Sequence, residues 1–156
     1  MPDPISKASV LIALGDEREA SGDLVAAREA LEGAAALLDA PFGGEEHERV
    51  RRWCEIQTRL GQLEGATGDL AAADARLSGV LARAGAALGP TDDTVIAALV
   101  ALGTIHRDAG RYEDADAAYR RALSIVQEEP GPHPAAAAQL RDHLASIKQT
   151  RDGHVS

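Results

Sequence analysis

The chain has 156 residues, the usual size of one domain, and is long enough to bury an apolar core without disulfides or metal ions. Its formal net charge of −9 disfavours nucleic acid and anionic membrane surfaces as partners, because both repel an acidic protein. Aromatic residues make up 3% of a chain in which 45% of residues are hydrophobic, so most apolar side chains are small, as suits closely packed helices.

The single cysteine, Cys54, excludes an intrachain disulfide and a cysteine-based metal site. The first residues, Met1-Pro2-Asp3-Pro4, lack the basic and apolar regions of a secretory signal. No apolar run reaches the length of a transmembrane helix. These features predict a cytoplasmic protein that neither enters nor binds a membrane.

Apolar residues recur with helical spacing along the chain, and no segment alternates as a strand does. The pattern predicts helices at about residues 5–21, 24–39, 46–66, 69–87, 92–109, 112–128 and 134–151. Proline and glycine clusters at residues 40–44, 88–91 and 130–134 separate them into pairs. We therefore expect one domain over residues 1–156, with helix pairs at 5–39, 46–87 and 92–128 and a closing helix at 134–151.

A Leu-Gly pair marks the first helix of each predicted pair, and a second glycine follows it seven residues later. The Leu-Gly pairs are Leu14-Gly15, Leu60-Gly61 and Leu102-Gly103, and the later glycines are Gly22, Gly68 and Gly110. The first glycine, without a Cβ, allows the second helix to cross closely, and the second glycine ends the first helix. Asp23 and Asp69 can then cap the next helix. Each unit is thus predicted to be a helical hairpin, repeating after 46 and then 42 residues.

The last predicted helix repeats part of the same pattern. Leu144 and Ile147 reproduce Leu102 and Ile105 at an offset of 42 residues. We expect this helix to cap the last apolar face, as terminal repeats of such arrays do.

At these residues the chain resembles the tetratricopeptide repeat (TPR) family, with its best match from Leu99 to Ala122. The 42-residue step is similar to that of kinesin-light-chain repeats. The resemblance implies a right-handed superhelical solenoid of three helix-turn-helix repeats and a capping helix, which holds proteins or peptides on the inner surface of its first helices. At a place where the family carries an aromatic side chain, this chain has Arg18, Glu64 and His106, and we expect His106 to be a partly buried structural residue.

The family pattern places polar residues of the first helices on the concave face. The predicted ligand-binding residues are Asp16, Glu19, Glu55, Thr58, Gln62, Thr104, Arg107, Gln139, Asp142, Ser146 and Gln149. Arg107 is the only cation of this set, whereas holding a peptide carboxylate needs several donors. The set therefore favours a neutral or basic protein segment over a C-terminal carboxylate.

No catalytic motif, phosphate-binding loop or metal-ligand spacing is present, and no cofactor is predicted. The leading hypothesis is a non-enzymatic adaptor that binds a protein or peptide in the concave groove. The alternative is a small-molecule-binding protein or an unusual enzyme with a polar site near His106, Arg107 and His143. A third hypothesis is homo-oligomerisation, because a short solenoid has apolar end faces that a second copy can cover.

Overall fold

In the computed structural model, which describes residues 3–39, 46–128 and 134–153, the chain forms seven α-helices and no strand. The helices are α1 Pro4–Ala20, α2 Leu24–Asp39, α3 Glu46–Ala66, α4 Leu70–Ala87, α5 Asp93–Asp108, α6 Tyr112–Glu128 and α7 Pro134–Gly153. Every predicted helix is confirmed, with each end within two residues of its predicted position. Residues 40–45 and 129–133, which include two of the predicted linkers, lie outside the described residues.

The turn inside each hairpin is built on the predicted glycine. Gly22, Gly68 and Gly110 have φ angles of +82°, +89° and +78°, a conformation in which a side chain is strained. Asp23 and Asp69 accept hydrogen bonds of 3.1 Å from backbone N–H groups three residues ahead, and so cap α2 and α4. The three turns share one geometry because the same local sequence signal specifies each of them.

The glycine of each Leu-Gly pair lies where the two helices of a hairpin approach most closely. A Cβ at each of these positions would lie close to a large side chain of the second helix, and the distance to that side chain shows how tight each crossing is. This distance is 3.1 Å for Gly15 against Leu31, 2.9 Å for Gly61 against Leu77 and 2.6 Å for Gly103 against Tyr119. No ordinary side chain fits at the second and third positions without a shift, so these glycines set the spacing of the hairpins.

Two adjoining apolar clusters form the core. The smaller one joins α1, α2 and α3 through Ala8, Leu31, Ala34, Ala35, Leu38, Ile56, Leu60 and Leu63. The larger one extends from α3 to α7 and is centred on the fully buried Tyr119. Trp53 contacts both clusters, and the Arg83 guanidinium lies 4.1 Å from the centre of its ring. Each helix thus packs on its neighbours in the chain, which is the arrangement of an all-α solenoid.

Candidate functional site

The predicted concave residues all lie at the surface, on α1, α3, α5 and α7. Thr58, Thr104 and Arg107 are half-buried, and the other eight are exposed. The helices α3 and α5 touch each other directly, because Gly65 of α3 has no Cβ and admits Ile105 of α5. These two helices therefore lie side by side in the middle of the predicted concave face.

Two clefts lie along the seam between α3 and α5. One, of 470 Å³, is lined by Cys54, Glu55, Thr58, Arg59, Asp93, Thr94 and Ala97. The other, of 590 Å³, is lined by Gln62, Gly65, Ala66, Gly68, Leu70, Ala101, Thr104, Ile105, Asp108 and Ala109. The structure thus brings four of the predicted residues, Glu55, Thr58, Gln62 and Thr104, to one seam. Both clefts mix small apolar side chains with hydroxyl and carboxylate groups, and the larger one adds the amide of Gln62.

Arg59 is a groove residue that the sequence pattern missed. Its guanidinium pairs with Asp16 and, at 2.9 Å, with Glu19, so it joins α3 to α1. Arg59 thus adds a second cation beside the predicted set, in which Arg107 is the only one. Arg59 stands four residues after Glu55 and three before Gln62, and this helical spacing was the available signal. The pairing also neutralises part of the predicted acidity at the α1 end.

At the other end of the groove, Arg107 joins α5 to α7. Its Nη1 lies 3.3 Å from Nδ1 of His143, and the imidazole of His143 stacks on the Tyr119 ring with 4.9 Å between ring centres. The Tyr119 hydroxyl in turn lies 2.9 Å from Oγ1 of Thr104. Thr104 and Arg107 thus take part in contacts that hold α5, α6 and α7 together.

His106 faces a different helix from His143. Its Nε2 lies 2.9 Å from Oδ1 of Asp74 on α4, and its Nδ1 is buried with no hydrogen-bond partner among the residues that the structure describes. We predicted that His106 is partly buried, and its exposure of 7% confirms that burial. The three polar residues of the alternative hypothesis therefore divide between two contacts, His106 with Asp74 and Arg107 with His143, and do not form one site.

The predicted α7 residues extend the polar surface but do not line either cleft. Gln139, Asp142, Ser146 and Gln149 are all exposed along one side of that helix. The structure therefore separates the predicted set into a central group at the α3 and α5 seam and two flanking groups on α1 and α7.

Glu64 occupies the same repeat position as His106 and is also buried, with 2% of its surface exposed. Its carboxylate accepts hydrogen bonds of 2.6 and 2.9 Å from Arg76 on α4, and one of 3.3 Å from Arg28 on α2. Buried carboxylates are retained when paired in this way. Glu64 thus joins three helices, and its contacts assign it a structural role.

Cys54 lies at the base of the smaller cleft, with its side chain buried. Burial away from water raises the pKa of the Cys54 thiol to about 11. The thiol is therefore protonated at neutral pH, and a protonated thiol is a weak nucleophile. This environment is that of a structural cysteine.

We expect iodoacetamide to alkylate native Cys54 about 100-fold more slowly at pH 8 than the guanidinium-unfolded chain, because the native thiolate fraction is about 100-fold smaller. Between pH 8 and pH 10 the native rate should rise about tenfold per pH unit. Mass spectrometry of quenched samples measures both rates. Equal rates for native and unfolded protein would contradict the buried, protonated state.

Within residues 3–39, 46–128 and 134–153, no group of three His, Cys, Asp or Glu side chains is arranged to hold a metal ion. In the same part of the chain, none of the helices is long and apolar enough to cross a bilayer.

The fold defines a class of protein, the helical-hairpin repeat proteins. The sequence matches the tetratricopeptide repeat family over residues 54–128 and 94–153, which together are most of the chain. The chain belongs to this family. Tetratricopeptide repeats generally mediate protein–protein interaction.

Among solved structures, the fold is similar to the crystal structure of BtubC (BKLC) from P. vanneervenii, with a TM-score of 0.79 and 18% sequence identity. The match covers 97% of this chain and 59% of that one, so the chain spans less than two thirds of the length of BtubC. At this identity the likeness is one of fold. No curated protein matches the sequence.

Proposed function

We propose that the chain is a non-enzymatic adaptor, acting as a single domain, that binds a protein or peptide segment along its concave face. The observation that carries this proposal is the pair of clefts that follow one another along the seam between α3 and α5. Two successive shallow clefts suit an extended segment, which can place one side chain in each. Glu55, Thr58, Gln62 and Thr104 are the central contacts of this proposal, and the exposed polar residues of α7 extend it.

The charges around the clefts support a neutral or basic segment as the ligand. Glu55 and Asp93 line the smaller cleft and Asp108 the larger one. Arg59, the cation of the smaller cleft, is already engaged by two carboxylates of α1. A peptide carboxylate bound here would lie beside acidic side chains and would find few hydrogen-bond donors that are not already paired. A lysine or arginine side chain would instead meet complementary charge.

The proposal also covers the classes of partner that are disfavoured and the cellular location of the protein itself. The net charge of −9 disfavours nucleic acid and anionic membrane surfaces, and we propose neither as a partner. The single buried thiol of Cys54 suits a reducing compartment, and we propose a cytoplasmic location.

Binding to an array of synthetic extended peptides of varied net charge tests this function. We expect neutral and basic peptides to bind and matched acidic peptides to fail. The triple substitution Glu55→Ala, Thr58→Ala and Gln62→Ala should weaken the best peptide at least about tenfold, since truncated groove contacts commonly lose more than 1 kcal/mol. Fluorescence anisotropy with the labelled peptide gives the dissociation constants.

The matched control carries three polar-to-alanine changes on second helices, Ser78→Ala, Arg121→Ala and Gln127→Ala. These side chains are exposed on α4 and α6, away from both clefts. We expect the control to bind the same peptide with unchanged affinity. Equal weakening by both triple variants, or preferential binding of acidic peptides, would contradict the groove assignment.

A further inference from the structure

The helices α3, α5 and α7 each carry an apolar strip that packs against the preceding hairpin. The strip has spacing of three or four residues and is buried or half-buried in all three helices. It consists of Trp53, Ile56, Leu60 and Leu63 on α3, Val95, Ala98, Leu102 and Ile105 on α5, and Ala137, Leu140, Leu144 and Ile147 on α7. In α3 this strip packs with α2 in the smaller core cluster. It is the surface by which one repeat stacks on another.

In α1 the same register is occupied by Lys7, Val10, Leu14 and Glu17. Val10 is 69% exposed and Leu14 is 37% exposed, whereas their equivalents Ile56 and Leu60 on α3 are buried. The described helices thus leave Val10 largely uncovered and cover Leu14 only in part. An apolar stacking strip thus remains open on α1, with a charged residue at each end.

The charges on this strip have a self-complementary order. Lys7 and Glu17 stand five residues before and five after Ile12, and Val10 and Leu14 stand two residues on either side of it. Both charged side chains are exposed, and neither has an ion-pair partner among residues 3–39, 46–128 and 134–153. An antiparallel second copy of α1 centred at the same residue would place Lys7 against the partner's Glu17, and Val10 against the partner's Leu14.

We propose that α1 is a homodimerisation surface, in which two copies of the chain pair the strips of their α1 helices antiparallel, about a two-fold axis that crosses the helices at the level of Ile12. The pairing is isologous, so each favourable contact occurs twice. It buries two valines and two leucines and forms two Lys–Glu ion pairs.

Sedimentation equilibrium over a concentration series at about 0.15 M salt tests the proposal, because this ionic strength screens the general repulsion between two acidic chains. We expect a reversible monomer–dimer equilibrium. Lys7→Glu alone and Glu17→Lys alone should each raise the dimer dissociation constant at least about tenfold, since each puts like charges at two places. The combined swap, Lys7→Glu with Glu17→Lys, should restore dimerisation to within about threefold of the native value.

Val10→Asp should abolish the dimer, and Val25→Asp should leave it unchanged. Val25 is 71% exposed on α2 but lies outside the strip, which makes it a matched control for an added charge at an exposed valine. The charge variants alter only exposed side chains, so they test the proposal even if Val10→Asp lowers the yield of folded protein. A monomer at every concentration, or a dimer that survives Lys7→Glu and Glu17→Lys separately, would overturn it. Failure of the swap to restore dimerisation would overturn the proposed register.

Discussion

Replacing Glu64 by alanine should lower the free energy of unfolding by about 3 kcal/mol, at the lower end of the loss seen when one member of a buried ion network is removed. The carboxylate is almost fully buried and accepts hydrogen bonds from both Arg76 and Arg28. Without it, Arg76, whose side chain is only 22% exposed, keeps its hydrogen bond to Gln57 but has no carboxylate nearer than that of Glu32, at 4.0 Å. Arg28 is 46% exposed and can turn towards water, which limits the loss.

Chemical denaturation followed by circular dichroism gives these free energies. Glu64→Gln keeps the shape of the side chain and removes its charge, so it separates the ion pairs from packing, and we expect it to account for more than half of the loss. Glu29→Ala, an exposed glutamate on α2, is the control and should stay within about 0.5 kcal/mol of the native protein. A loss below about 1 kcal/mol for Glu64→Ala would show that the network contributes little net stability.

The polar contact around Glu64 recurs one repeat later, with the carboxylate on the second helix instead of the first. Arg28 and Asp74 occupy the same position of α2 and α4, 46 residues apart, and Glu64 and His106 occupy the same position of α3 and α5, 42 residues apart. Arg28 pairs with Glu64, and Asp74 lies 2.9 Å from His106. Polar pairs thus replace the aromatic packing that the family uses at this junction between repeats.

The fold was predictable from the sequence because its signals are local. The glycines at the turns and in the Leu-Gly pairs act within one hairpin, so their spacing alone located the helices and their crossings. The same periodicity correctly placed the polar groove residues at the surface. These features depend on neighbours within one or two helical turns or within one hairpin.

The electrostatic contacts of the site could not be read in the same way. Arg59 meets Glu19 across 40 residues of sequence, and Arg28 meets Glu64 across 36. Such pairs depend on which rotamers the packed helices allow, and helical periodicity carries no information about that. For this reason the groove appeared to hold a single cation, and Arg59 was missed.

Replacing Gly103 by alanine should destabilise the protein by about 2 kcal/mol, although alanine is the better helix former by about 1 kcal/mol. The new Cβ would lie 2.6 Å from Cε1 of Tyr119 and 2.8 Å from two further ring atoms. The ring cannot easily move, because Tyr119 is fully buried, stacks on His143 and has its hydroxyl 2.9 Å from Oγ1 of Thr104. Relief of the overlap therefore requires α5 and α6 to separate.

The other helical glycines provide a graded control for this steric explanation. In Gly79→Ala on α4 the new methyl group would point into open space. This substitution should therefore stabilise the protein by about 0.5 to 1 kcal/mol. In Gly61→Ala the new Cβ would lie 2.9 Å from the Leu77 side chain, and in Gly15→Ala it would lie 3.1 Å from the Leu31 side chain. A leucine side chain rotates aside more readily than the fixed ring of Tyr119. The loss measured by thermal or chemical denaturation should thus be largest at Gly103, smaller at Gly61 and smallest at Gly15. A Gly103→Ala variant as stable as Gly79→Ala would contradict the close helix crossing on which the hairpin repeat depends.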